Sequence, residues 1–278
     1  MNMKVFFDEV RTSLFWGRLR QSQVNAILKI FKNWETHGDG DNRKLAYILA
    51  SVYHETGSRM APVRETFAKS DREARENLKE LVRKRGQDSA VARYSLPTGP
   101  YGLIYYGRGG IQTTWIYNYR KWNDVLNMDF VKNPNLMLDP DISARVAVQG
   151  MMEGLFSGVA LDRYFNSTID DPVNARRVVN GTDRQNTIAE YHYKFLEAIE
   201  ESVNSYEDES TQVYSNTQVD KTMEGGVGIT GLGGSLAVLG ELFSTHSEGL
   251  KILSIIIIVV GIILYVNGRR RFYKEYEE

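Results

Sequence analysis

Ile252 to Val266, ILSIIIIVVGIILYV, runs for fifteen residues without a charge, and no other stretch limits so sharply what the chain can become. At about 1.5 Å per residue a helix of this length reaches roughly 22 Å, and Leu250 with a snorkelling Lys251 extends it. A bilayer span needs about 17 residues or more, so the segment 250–267 predicts one transmembrane helix. Its β-branched residues would also suit a buried strand, but the polar stretch before it and the charged tail after it offer no core to enter. Arg269, Arg270, Arg271 and Lys274 follow the run, and only Lys251 lies close before it. That asymmetry puts the tail, 268–278, inside and the large upstream region outside.

Between the apolar run and the rest of the chain lie two segments of different character. Residues 201–224 are rich in Ser, Thr, Asn and Gln and hold six acids against one Lys. Such a segment cannot bury enough apolar area to order itself and reads as a linker. Residues 225–249 are apolar and glycine-rich. Gly226, Gly228 and Gly231 spell GxGxxG, but no strand precedes them, so close helix packing or an apolar hinge fits better than a dinucleotide site.

Residues 1–200 mix apolar, aromatic and charged residues as a globular domain does. From Gln21 to Trp34, Val24, Ile27, Leu28, Phe31 and Trp34 recur at spacings of three and four, one stripe of a helix. Asp41 or Asn42 can cap a second helix whose stripe is Leu45, Ile48, Leu49 and Val52. Glu73 to Arg85 is charged nearly all round and reads as a solvated helix, and Ser143 to Phe156 and Asn186 to Ile199 carry further stripes. Few segments alternate with period two, so the domain is mainly α.

Composition removes several functions. Lys plus Arg at 34 against Asp plus Glu at 35 gives a net charge of −1, so no basic field points to a nucleic-acid partner. The absence of cysteine excludes disulfides, zinc–thiolate sites, iron–sulfur clusters and a thiol nucleophile. The opening MNMKVFFDEVRTS has too short an apolar run for a signal-peptide core.

Four pieces carry chemistry. In Tyr53-His54-Glu55-Thr56-Gly57-Ser58, Glu55 falls at the margin of the Leu45/Leu49/Val52 stripe, near the end of its helix. Partial desolvation there would raise its pKa and keep it protonated as a general acid; a Glu merely lying at a helix end is the plain alternative. Ser58 stands where HExxH needs its second His, so no zinc motif forms. Ten residues on, Glu65 follows Arg64 beyond a turn, and two carboxylates so placed can flank one glycosidic bond, unless Arg64 simply pairs with an acid at the surface. In Tyr105-Tyr106-Gly107-Arg108-Gly109-Gly110-Ile111-Gln112-Thr113-Thr114-Trp115, the glycines allow close backbone approach. Gln112 offers a donor and an acceptor to an N-acetyl amide, and aromatics such as Tyr106 offer faces for sugar rings. A tight turn with core aromatics explains the same residues. Finally Val178-Val179-Asn180-Gly181 breaks an apolar run at Asn-Gly and either presents Asn180 to a ligand or is only a turn.

Together these pieces resemble glycoside hydrolase family 19, the plant-type chitinases, and especially its short phage and bacterial endolysin branch, over most of residues 10–200. HETGS is similar to the family's acid motif, GRGGIQTT to its GRGxIQLS/T loop and VVNG to its I-N-G segment. Gly150 to Gly158, GMMEGLFSG, resembles a stretch of the endolysin branch. The resemblance implies a lysozyme-like hydrolase fold and an inverting mechanism without metal or cofactor. It makes Glu55 the general acid, Thr114 the hydroxyl that holds the nucleophilic water, and Gln112 and Asn180 sugar contacts. Glu65 becomes the base, at a spacing similar to that of the endolysin branch. Gly110 and Thr113 depart from the residues commoner in chitinases and speak against chitin as substrate.

The expected protein is therefore a peptidoglycan glycosidase, a single-pass membrane protein with the hydrolase domain on the outer side. A virion membrane, with capsid or membrane proteins as neighbours, would suit a wall-penetration or lysis enzyme. Chitin is the other substrate. Other readings are an inactive wall-binding protein and a holin-like membrane disruptor. The full chain should partition with membranes through 250–267, whereas residues 1–200 should stay in the aqueous phase of a detergent partition assay. Recovery of the full chain in the aqueous phase would place the apolar run inside protein and remove the span.

Overall fold

The structure, a computed structural model, describes residues 1–216, with side chains as far as 205. The glycine-rich segment, the apolar run and the charged tail lie outside the described residues. Contacts divide the chain into one compact unit, Met1–Thr211, and a second, Gln212–Glu278; the account below concerns the first. Among the described residues no helix is long and apolar enough to cross a membrane.

The first unit is mainly helical, as the periodicity predicts. Its helices are α1 (Met3–Ser13), α2 (Gln21–His37), α3 (Asn42–Glu55), α4 (Asp71–Arg85), α5 (Ala90–Tyr94), α6 (Ile116–Leu126), α7 (Pro140–Met152) and α8 (Gln185–Asn216). Two strands of two residues, β1 (Val63–Arg64) and β2 (Arg108–Gly109), form its sheet. Caps follow local chemistry. Asp41 accepts from the Arg43 N–H to start α3, Ser70 accepts from Glu73 to start α4, and Asp139 with Pro140 at the first position starts α7.

α3 is the axis of the unit. Its residues from Lys44 to Tyr53 are all buried, so the stripe of Leu45, Ile48, Leu49 and Val52 is only part of a helix enclosed on every face. Lys44 is accommodated because its ammonium donates to Asp39 and Asp162. Tyr53 reaches the α1–α2 connection, donating to Leu14 O at 2.6 Å, and meets Tyr191 and Phe195 of α8 edge to face. α8 continues to Asn216, past the boundary at 200 that composition gave. Ser202 is buried and its carbonyl accepts from Asn2 N–H at 2.7 Å. The polar tract therefore begins as helix, because the first residues after 200 still pack on the unit.

Further apolar clusters support the loops. Tyr105, Tyr119, Trp122, Phe130, Val131, Met137 and Val146 form one; Ala68, Ala74, Leu78, Val91, Ile104 and Tyr106 form another, under α4 and α5. Both draw on the segment 104–119, which gives Tyr105 and Tyr119 to the first and Ile104 and Tyr106 to the second.

His192 of α8 is wholly buried among the rings of Tyr47, Phe165 and Tyr193, and neither ring nitrogen has a hydrogen-bond partner. Burial first, then the charge of Arg43 against the smaller opposing pull of Asp41, holds its pKa down at about 4. Between that value and the ordinary one near 6.5 the unfolded chain binds a proton that the folded chain refuses, so stability rises with pH across this window. The loss on acidification from pH 6.5 to 4 should be on the order of 3 kcal/mol. Urea unfolding of the wild type against His192→Leu should show the slope in the first and a flatter curve in the second. Parallel curves would assign the acid sensitivity elsewhere.

Candidate functional site

The two short strands decide where Glu65 goes. β1 pairs antiparallel with β2, Val63 opposite Gly109 and Arg64 opposite Arg108, and the register carried one step further sets Glu65 against Gly107. Glu65 N–H donates to Gly107 O at 2.7 Å, and Gly107 N–H donates to Glu65 Oε2 at 2.9 Å. The Tyr94 hydroxyl donates to Oε1 at 2.5 Å. Burial, then the charge of Glu65, pushes the Tyr94 hydroxyl far above its ordinary pKa, so it remains a donor. A Cβ at Gly107 would lie 2.8 Å from Gln112 Oε1 and 3.3 Å from Thr114 Oγ1; only glycine allows this approach. Three of the expected residues, Glu65, Gln112 and Thr114, thus meet around one backbone unit.

Gln112 is committed more than its sequence position suggests. Its Nε2 donates to Val63 O at 3.2 Å and Gly109 O at 2.9 Å, so both amide donors serve the loop and only Oε1 is left to accept. Thr114 Oγ1 donates to Gln112 O at 3.1 Å and keeps its acceptor capacity.

Two expectations for this loop need correction. Tyr106 is fully buried, its hydroxyl donates to Asp71 and the Arg108 guanidinium lies 3.6 Å over its ring; no face is left for a sugar. Exposed aromatic surface sits instead on Tyr117, stacked with Trp115 at 6.0 Å. Gly110 and Thr113 are both buried, with Gly110 N–H donating to Ser143 Oγ at 2.8 Å and Thr113 Oγ1 to Ile111 O at 3.3 Å. They face the core, so they do not discriminate between substrates. Of the two readings open for Arg64, the structure shows the pairing with an acid: its Nε donates to Asp71 at 3.0 Å, away from Glu65. Burial pushes Asp71 up, but hydrogen bonds from Tyr106, Asn135 and Arg64 and the charge of Arg108 hold its pKa down at about 2.

Glu55 is the last residue of α3, one turn beyond Val52, which packs against Gly110. The apolar stripe is only part of its surroundings. Arg176, 3% exposed, donates through Nη1 to Glu55 Oε1 at 2.7 Å, and its Nε donates to Asp183 O at 3.1 Å. Arg176 O accepts from Asn180 N–H at 2.9 Å, so the exposed Asn180 is carried on the same turn that presents the guanidinium. Sequence reasoning missed both Arg176 and Tyr94. Each meets its carboxylate from far along the chain, and nothing local marks either residue.

Residues 20–154 match the family model of glycoside hydrolase family 19, described as chitinase class I. That span holds Glu55, Glu65, Gln112 and Thr114 and stops short of Arg176 and Asn180. The basic endochitinase of Vitis vinifera is 32% identical over 134 residues, 44% of this chain and 38% of that one. The inactive chitinase-like protein 1 of Hevea brasiliensis is 38% identical over 63 residues, 21% of this chain and 20% of that one. The chain spans between 15% and 38% of the length of such curated relatives. Chitinase C from Streptomyces griseus HUT6037 superposes with a TM-score of 0.42 at 20% identity, over 70% of this chain and 74% of that one.

Glu55 and Arg176 form a largely buried ion pair, so either partner alone is worse than neither. Arg176→Met and Glu55→Gln should each lower the urea-derived stability by about 2–4 kcal/mol. The double variant should lose at least about 1 kcal/mol less than the sum. Additive losses would mean that the two groups do not stabilise one another.

Proposed function

We propose that this chain, whose residues 20–154 match the family model of glycoside hydrolase family 19, hydrolyses the β-1,4 bonds between N-acetylated sugars of peptidoglycan on a lysozyme-like fold. The reading rests on one observation above the rest: Glu65, Gln112 and Thr114 converge on Gly107 through the β1–β2 register. In it Glu55, protonated on Oε2, the oxygen that Arg176 does not hold, gives that proton to the departing glycosidic oxygen. Glu65 takes a proton from water as the water oxygen bonds to the anomeric carbon, and the Thr114 hydroxyl orients that water. This is the inverting arrangement of an acid and a base on opposite sides of the bond. Oε1 of Gln112 and the side chain of Asn180 accept from sugar N–H and O–H groups.

Peptidoglycan is favoured by the short Glu55–Glu65 spacing and by the segment Gly150–Gly158, both similar to the endolysin branch. Arg59 adds to this. It is exposed, lies between the two carboxylates in the chain and has no acidic partner among the described residues. An anionic, peptide-bearing strand offers it a counter-charge that neutral chitin does not. Chitin is the second reading, carried by the family description and the names of the relatives. The Hevea brasiliensis relative, named inactive, keeps a third in view, a binding protein without turnover. Membrane anchorage through 250–267 with the enzyme on the outer side, in a virion membrane that meets the wall, completes the proposal.

Full-length protein in detergent, incubated with purified peptidoglycan and separately with chitin oligosaccharides, should release new sugar ends from the first at a rate at least about tenfold higher, a difference of roughly 1.4 kcal/mol in transition-state binding. Mass spectrometry identifies the bond. Glu55→Gln should reduce turnover by at least about a hundredfold. It should also lower the melting temperature by several degrees, because Arg176 loses its counter-charge, so the assay belongs well below the melting point. Preference for chitin would select the second reading, and no turnover of either polymer the third.

A further inference from the structure

The base in this mechanism is a side chain whose plane must be fixed, and Glu65 stands at the start of a single short turn, Glu65–Phe67, which by itself fixes little. Two donors from elsewhere hold it. Gly107 N–H takes Oε2 at 2.9 Å, and the Tyr94 hydroxyl takes Oε1 at 2.5 Å. Tyr94 is the last residue of α5. Its ring packs with Leu81 and Val82 on the cluster of Leu78 and Val91 and meets Trp115 edge to face at 5.3 Å. The ring is therefore held from two sides, and the hydroxyl has little freedom to point elsewhere.

From this geometry we propose that Tyr94 is a positioning residue for Glu65, clamping the carboxylate between α5 and the Gly107 backbone so that its unoccupied lone pairs keep one direction. The proposal rests on the reading of Glu65 as the base. A carboxylate oxygen offers two lone-pair sites; Tyr94 fills one on Oε1 and Gly107 one on Oε2, which leaves one on each to take the proton from water. The hydroxyl keeps its own proton throughout, since burial and the neighbouring carboxylate both oppose its loss. Tyr94 touches neither water nor sugar in this scheme. It acts only through Glu65, by the precision of alignment on which a proton transfer depends.

Tyr94→Phe keeps the ring, its packing and its contact with Trp115 and deletes only the donor. On soluble glycan strands freed of their peptides, with the full-length protein, kcat should fall by about tenfold. KM should stay within about twofold, because no sugar contact is removed. The melting temperature should remain within a few degrees. The deciding measurement is the same substitution in Glu65→Ala. There the residual rate, with or without azide as an added nucleophile, should not change when Tyr94 becomes Phe, because the group it positions is gone. An equal loss in both backgrounds would show that Tyr94 acts on substrate or fold directly and would overturn the proposal. So would an unchanged kcat for Tyr94→Phe beside an inactive Glu65→Ala, which leaves Glu65 as the base. Full activity of Glu65→Ala would instead remove the base reading, and the proposal with it.

Discussion

The guanidinium of Arg108 is 3% exposed, and a cation so far from water is tolerated only where its donors are met. Nε donates to Asn135 Oδ1 at 3.0 Å. Nη1 donates to Ile104 O, Tyr106 O and Tyr119 Oη at 3.2, 3.3 and 3.1 Å. Nη2 lies 3.7 Å from the Asp71 carboxylate, and the whole group rests on the Tyr106 ring. These contacts fold the segment 104–108 around its own side chain. That folding sets β2 at the register which brings Gly107 to Glu65, so the convergence of Glu65, Gln112 and Thr114 depends on a residue buried beneath them. Lysine could not replace it, since a single ammonium cannot satisfy so divergent a set of acceptors.

A second guanidinium organises the other half. Arg176 comes from the turn that carries Asn180 and closes on the end of α3, where Glu55 waits. The stripe of α3 alone therefore describes only part of Glu55's surroundings, which also hold this buried charge. The pairing also gives Glu55 one orientation, which the proposed role of general acid requires. Both carboxylates are thus held by donors from distant segments, Glu55 by one charge and Glu65 by two neutral groups.

Much of this was legible in the sequence wherever the signal is local. The stripes found α2 and α3, Asp41 proved to be the cap, and the motif residues Glu65, Gln112 and Thr114 meet around one glycine. What periodicity could not supply was facing. Tyr105 and Tyr106 stand in a loop with no repeat to say which way a ring points, and Tyr106 turned out to complete the core under Arg108. Composition placed the end of the domain at residue 200, because it counts polar residues and cannot see Ser202 docking on Asn2. Arg176 and Tyr94 lie 121 and 29 residues from their carboxylates, so only the fold introduces them.

The connection between the two carboxylates shows how the halves are held to one another. Ser58, Met60, Thr66 and Phe67 all have φ near +60°, a region that non-glycine residues enter at a cost of roughly 1–2 kcal/mol each, and more for a β-branched threonine. Such a stretch persists only if its surroundings over-determine it, and here they do. Gln23 of α2 donates to Ser58 O at 2.7 Å, and Met60 N–H donates to Thr56 Oγ1 at 2.9 Å while its side chain is buried. Asn77 of α4 donates to Thr66 Oγ1 at 2.9 Å, and Arg59 lies 4.2 Å over the Phe67 ring. Each left-handed residue therefore bears an anchor or flanks one, and the anchors come from α2, from α4 and from the loop itself. A floppy loop of the same length would let Glu55 and Glu65 drift apart. This one fixes their separation through its backbone, without any direct contact between two groups that would repel each other when both are ionised.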